Sequence, residues 1–147
     1  MLDSIQEILD RCRAEDVPFW RVIRESDMDQ RQVTAEESRE RMRQTWLAML
    51  ESEESYQARR RSLSGLAGGD GGKMRDFAAQ GHSLSGDYLS EVIATALCVG
   101  EGNACMRKIV AAPTAGACGV LPAVLLPLCK YEEISQHQLL EALYVAS

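Results

Sequence analysis

The sequence is poor in the residues that most often carry acid–base or metal chemistry. It has two histidines, His82 and His137, and each is read as an exposed or capping residue rather than a catalytic base. His137 lies at a polar helix start. His82 is the better candidate should a base be needed, because it follows a glycine-rich stretch. The five cysteines, at 12, 98, 105, 118 and 129, form no Cys-x-x-Cys pair and no framework spacing, which fits reduced thiols better than disulfides. Cys98 and Cys105 are seven residues apart on one helical face, about 10 Å along the axis, and are expected to be core thiols. No segment has the alternation of a strand. The start, Met1-Leu2-Asp3-Ser4, lacks the basic region and apolar stretch of a signal peptide, so a cytoplasmic location is expected. Nor is there an excess of positive charge. The net charge is −6, and the one basic cluster, Arg59-Arg60-Arg61, follows Glu51, Glu53 and Glu54 and is read as a solvated helix end. Nucleic acid is therefore not expected as a partner. The longest uncharged run, Ile109 to Cys129, is broken by Pro113, Gly116, Gly119, Pro122 and Pro127, which argues against a membrane span.

What is present is helix with clear punctuation. At 147 residues, with 46% hydrophobic and 26% charged residues, the chain is one globular domain at most. Leu2, Ile5, Ile8, Leu9 and Cys12 share one helical face, and Ser4 with Glu7 makes a capping-box pattern at its start. Pro18 suits the first turn of a short second helix carrying Phe19, Val22 and Ile23. Thr34 and Glu37 repeat the capping signal and open a longer helix to about Arg60. Glycines at 65, 68, 69, 71 and 72 then dictate a loop. A helix follows from about Asp87 to Met106, then a loop from Pro113 to Gly119, a helix starting around Pro122, and a last one from Ser135 with Gln138 completing its capping box. The apolar surface of that last helix, Leu139, Leu140, Leu143, Tyr144 and Val145, runs to Ser147 without a stop signal, so the chain is expected to be incomplete or to need a partner there. The fold class is all-α, with an N-terminal helical segment over 1–61 and the start of a second region over 62–147.

Two stretches can carry chemistry. In Ser62-Leu-Ser-Gly-Leu-Ala-Gly-Gly-Asp-Gly-Gly-Lys73, Gly72-Lys73 fits the end of a nucleotide P-loop, but Ala67 stands where its first glycine belongs and Met74 replaces the magnesium-binding hydroxyl. Two readings stay open: a flexible linker, or a backbone concavity where N–H groups, Ser64 Oγ and the Lys73 ammonium converge on a carboxylate. The Ser62-Leu-Ser-Gly65 turn is echoed by Ser83-Leu-Ser-Gly86, which is read as possible coincidence. The second stretch, Ile109-Val-Ala-Ala-Pro-Thr-Ala-Gly116, is an uncharged run around a polar turn. It is expected to be a buried loop whose small residues leave backbone groups free for a small polar ligand, the alternative being a buried helix-breaking turn without ligand contact.

Ser62, Ser64, Gly65, Gly68, Gly69 and Asp70 match a Ser-x-Ser-Gly-x-x-Gly-Gly-Asp element of the alpha chain of iron–sulfur-dependent L-serine dehydratases. Asn103-Ala-Cys-Met106 and Ala111-Ala-Pro-Thr-Ala-Gly116 are similar to the same family's Asn-Ala-x-Met and Ala-x-Pro-Thr-Ala-Gly signatures. Arg107 stands where the family commonly has glycine. The resemblance covers roughly 45–147 and marks 62–147 as the first part of the catalytic domain. It implies conversion of L-serine to pyruvate and ammonia, with a [4Fe-4S] cluster as Lewis acid on the serine hydroxyl and no pyridoxal phosphate. It also implies a beta chain or domain as partner and a homo- or hetero-oligomer. Substrate-binding residues would be Ser62, Ser64, Gly65, Gly68, Gly69, Asp70, Lys73, Asn103, Pro113, Thr114, Ala115 and Gly116. No catalytic base is assigned. No metal ligand is assigned either, since a cluster needs three or four gathered thiolates; Cys118 is the outside candidate. A related cluster-dependent lyase acting on L-cysteine, or a truncated chain serving as an interaction module, are the alternatives.

Overall fold

The structure, a computed structural model, describes residues 4–81 and 83–146. Among these it is all-α: α1 (Ile5–Glu15), α2 (Phe19–Arg31), α3 (Ala35–Glu54), α4 (Asp70–Ala79), α5 (Gly86–Ala104), α6 (Val120–Tyr131) and α7 (Gln136–Ala146), with one 3-10 turn at Ala115–Ala117. No helix among the described residues is long and apolar enough to cross a membrane. The chain divides into two compact units, Met1–Trp46 with Ser135–Ser147, and Leu47–Ile134.

In the first unit the capping chemistry read from the sequence sets the helix starts. Ser4 Oγ accepts the Glu7 N–H at 3.2 Å. Thr34 and Glu37 form a reciprocal box at 2.8 and 3.2 Å, and so do Ser135 and Gln138 at 3.0 and 3.2 Å. Pro18 is the N-cap of α2 rather than a residue of its first turn. Thr34→Ala is expected to cost about 1 kcal/mol, measured by thermal or urea unfolding, because it strands the Glu37 N–H. A loss below about 0.3 kcal/mol would mean that the box adds nothing to the fold.

The apolar surface of α7 is not left open. Leu139, Leu140, Leu143 and Tyr144 are all buried in this unit, where α7 packs on α2; only Val145 stays exposed, at 52%. Each buried side chain contributes on the order of 1.5–3 kcal/mol. Tyr144 Oη also meets Ser38 Oγ at 2.8 Å, and Ser38 donates to Asp27 Oδ2 at 2.8 Å. The expectation of an uncovered terminal helix is corrected: α2 lies in the right place to cover it, which no local pattern reveals.

The second unit is organised by α5, which packs against both α4 and α6. Two glycines set how closely. A Cβ at Gly71 would stand 2.7 Å from Cys98 Sγ and 2.9 Å from its backbone nitrogen, and one at Gly119 would stand 2.9 Å from the Ala96 carbonyl oxygen. So α4 and the start of α6 approach α5 backbone to backbone. Two sequence expectations change here. Gly71 and Gly72 belong to a helix, not to a loop. And α3 ends at Glu54 rather than near Arg60, because the chain leaves the helix where Tyr56 turns to reach α5.

Candidate functional site

The site is built on the C-terminal end of α5, whose side chains hold both of the chemistry-bearing stretches. Glu101 is the one charged residue between Glu91 and Arg107 and is only 8% exposed. Its carboxylate accepts from three consecutive backbone N–H groups: Gly69 at 2.9 Å and Gly71 at 3.2 Å on Oε2, and Asp70 at 2.7 Å on Oε1. The Tyr56 hydroxyl donates to Oε2 at 2.6 Å and accepts the Gly72 N–H at 2.9 Å.

These are the N–H groups that a helix leaves without carbonyl partners at its start. The first intrahelical bond of α4 runs from the Lys73 N–H to the Gly69 carbonyl at 3.2 Å. Glu101 and Tyr56 therefore satisfy all four orphan donors, and the negative charge lies at the positive end of the helix dipole. Burial and the bond to Glu101 push the Tyr56 phenol up to about 12, so it remains a donor at any physiological pH.

Successive N–H groups of the glycine stretch do converge on a carboxylate, but it is that of Glu101 in the same chain, without Ser64 Oγ or the Lys73 ammonium. Just upstream, Ser62 to Ala67 closes on itself. The Ser62 N–H bonds the Ala67 carbonyl at 2.9 Å, the Ala67 N–H bonds Ser62 Oγ at 3.1 Å, and Ser62 Oγ meets Ser64 Oγ at 3.1 Å. Gly68 and Gly69 have φ of +124° and +88°. A Cβ there would meet the Arg60 carbonyl oxygen at 2.3 Å and the Arg61 guanidinium at 2.4 Å. Lys73 does not turn toward Glu101: it pairs with Asp70 at 2.7 Å in the open, which holds the Asp70 carboxyl below its ordinary range.

The echo of Ser62-Leu-Ser-Gly65 proves to be a repeated turn. Ser83 and Ser85 share a 2.8 Å bond like that of Ser62 and Ser64. In each turn the glycine N–H bonds the first serine's carbonyl, at 2.9 Å for Gly65 and 3.2 Å for Gly86, with φ of +75° and +78°. Leu63 and Leu84 stand fully exposed at the tips. The two turns flank α4 in sequence. His82 lies outside the described residues, and His137 is exposed and pairs with Glu141 at 2.9 Å.

The second stretch is held two residues further along α5. Asn103 Nδ2 donates to the Ala115 carbonyl at 2.9 Å. Thr114 Oγ1 accepts the Ala117 N–H at 3.3 Å and caps the 3-10 turn. The Ala112–Pro113 peptide is cis. Pro113, Thr114, Ala115 and Gly116 are all exposed, which corrects the expectation of a buried loop. Burial begins only at Cys118 and Gly119, where the chain packs on α5. Lack of charge over this run reflects a tight cis-proline turn followed by close packing, not immersion of the turn itself.

The sequence reasoning named Asn103 but missed Glu101 and Tyr56. The available signal was a single acid inside an otherwise uncharged helical run, which solvent does not require. A cavity of the second unit, about 380 Å³, is lined by Glu53, Arg75, Asp87, Glu91, Lys130 and Tyr131 among others, and none of the sequence-derived site residues lines it. Its cations are already paired, Arg75 with Glu53 and Lys130 with Glu91. Among the described residues no three His, Cys, Asp or Glu side chains gather where a metal could bind. Cys118 is 3% exposed, burial pushes its thiol up, and no two further thiols gather beside it among the described residues. The described residues do not fit a [4Fe-4S] cluster.

A family model described as "Serine dehydratase alpha chain" matches residues 14–147. The L-serine dehydratase alpha chain of Peptoniphilus asaccharolyticus is 30% identical over 128 residues, covering 86% of this chain and 44% of that protein. The probable L-serine dehydratase alpha chain of Bacillus subtilis (strain 168) is 26% identical over 146 residues, covering 99% of this chain and 49% of the relative. L-serine dehydratase 2 of Escherichia coli (strain K12) is 47% identical over 53 residues, 35% of this chain and 12% of that protein. No solved structure matches. The chain spans about half the length of the two alpha-chain relatives. The extent of the family match and the motifs now seen gathered on one helix end agree: the chain belongs to the serine dehydratase alpha chain family.

Proposed function

We propose that this chain supplies the substrate-binding loops of an L-serine dehydratase, the lyase that converts L-serine to pyruvate and ammonia. The observation that carries the reading is that Glu101 and Asn103, two residues apart, hold the glycine loop and the Pro-Thr-Ala-Gly turn by hydrogen bonds from one helix end. An exposed, uncharged turn of small residues suits a surface that closes around a small zwitterion. The Ser62 and Ser64 hydroxyls, with the Lys73 ammonium, take the substrate carboxylate. Gly65, Gly68, Gly69 and Asp70 give the loop its shape. Thr114, Ala115 and Gly116 form the opposite wall, with Pro113 and Asn103 fixing its course. The [4Fe-4S] cluster proposed for the complete enzyme has its ligands outside the described residues, and a beta chain or domain completes the assembly in the cytoplasm.

The test is made in the active dehydratase containing this chain. Ser64→Ala and Thr114→Val each remove one hydrogen bond to a charged or reacting group. Each is expected to lower kcat/KM for L-serine by about 1.5–3 kcal/mol, roughly ten- to a hundredfold, with iron content unchanged. Full activity in both variants would refute the assignment of these loops. Turnover of L-cysteine in preference to L-serine would move the reading to the related cysteine-degrading lyase.

A further inference from the structure

We infer that Glu101, together with Tyr56, is a positioning residue that holds the glycine loop in its substrate-binding shape, and that the amides of Gly69, Asp70 and Gly71 belong to Glu101 rather than to a substrate carboxylate. The inference rests on the L-serine reading above and deepens it. Four consecutive N–H donors converge on two side chains, three on Glu101 and one on Tyr56. The two acceptors are themselves bonded at 2.6 Å. Among the described residues Glu101 makes no ion pair, so its charge is balanced by these donors and by the helix start behind them. A substrate carboxylate entering here would have to expel a side chain that is 8% exposed and leave it buried without donors, a strongly unfavourable exchange.

The clasp has a structural consequence for the serines. The loop from Ser62 to Ala67 is closed by its own hydrogen bonds, so it moves as a piece. Its connection to α5 runs through Gly68 and Gly69, and Glu101 fixes the second of these. Displacing Glu101 would therefore shift Ser62 and Ser64 together. Misplacement by about 1 Å costs on the order of a hundredfold in rate when geometry is what the site supplies. The carboxylate must be an acceptor on both oxygens. Glutamine keeps the shape but turns an N–H2 group toward an incoming N–H.

The experiment is a double-mutant cycle on kcat and KM for L-serine in the active dehydratase that contains this chain, using Glu101→Gln, Ser64→Ala and the pair, at a temperature where circular dichroism shows all of them folded. Glu101→Gln alone is expected to lower kcat/KM at least tenfold. In the Ser64→Ala background it should cost less than threefold, because its effect passes through Ser64. Tyr56→Phe, which removes one hydroxyl from the same clasp, should show the same coupling at smaller amplitude, and it carries the test should Glu101→Gln not fold. Additive losses, or full activity with either clasp variant, would overturn the positioning role. Full activity of Ser64→Ala would instead refute the substrate-binding role of the glycine loop on which the inference rests.

Discussion

Replacing Glu101 with alanine is expected to destabilise the second unit by about 3–5 kcal/mol, among the largest effects of any single truncation in the chain. The substitution removes little apolar area. What it removes is the acceptor for three backbone N–H groups and for the Tyr56 hydroxyl. Gly69 and Gly71 are buried, so their donors gain no water in exchange, and each unsatisfied group costs about 1–3 kcal/mol. The Asp70 amide is nearer solvent and costs less. Tyr56 keeps its bond from Gly72 but loses its own acceptor. Urea unfolding with an unchanged slope is the measurement. A loss below 1 kcal/mol would mean that the cap of α4 is dispensable and that the clasp is incidental.

A pair of glycine substitutions should move stability in opposite directions. Gly71→Ala is expected to cost on the order of 3 kcal/mol. The new methyl would stand 2.7 Å from Cys98 Sγ and 2.9 Å from the Cys98 backbone nitrogen, and the second of these cannot rotate away. Relief requires α4 to lift from α5, which would also stretch the bonds to Glu101. Gly100→Ala adds the same methyl to α5 with nothing within 4 Å and should gain about 0.5–1 kcal/mol from helix propensity. Thermal melts of the two variants decide it. If Gly71→Ala were neutral, the close helix crossing described above would not exist.

Much of the helical framework was legible because its signals are local. Three Ser/Thr…Glu/Gln pairs marked the starts of α1, α3 and α7 as short-range hydrogen bonds, and glycine and proline marked the breaks. The missed helix, α4, begins with the residues that argue against a helix. Gly71 and Gly72 are tolerated because the start of α4 is capped from outside by Glu101 and Tyr56, and because only a residue without a side chain fits against Cys98. Both reasons depend on residues about 15 to 30 positions away in sequence. The end of α3 was misjudged for the same cause: Tyr56 leaves the helix for a partner 45 residues on.

The two loops themselves could be read from their residue types, since Gly68 and Gly69 need positive φ and Thr114 caps a turn. Their environment could not. An uncharged run around Pro113 and Thr114 looks the same in sequence whether it is buried in its own unit or presented at the surface. Likewise a concavity of amides says that an anion belongs there without saying whose it is. Glu101, isolated among uncharged neighbours on α5, was the one hint that the anion is internal.

The most direct measurement is an experimental structure of the complete protein containing this chain, determined with L-serine, the substrate proposed above. The account predicts the Ser62 or Ser64 hydroxyl and the Thr114 hydroxyl within about 2.6–3.2 Å of polar atoms of the substrate, with Glu101 still on the Gly69, Asp70 and Gly71 amides. A substrate carboxylate seated on those amides with Glu101 displaced, or L-serine bound away from both loops, would contradict it.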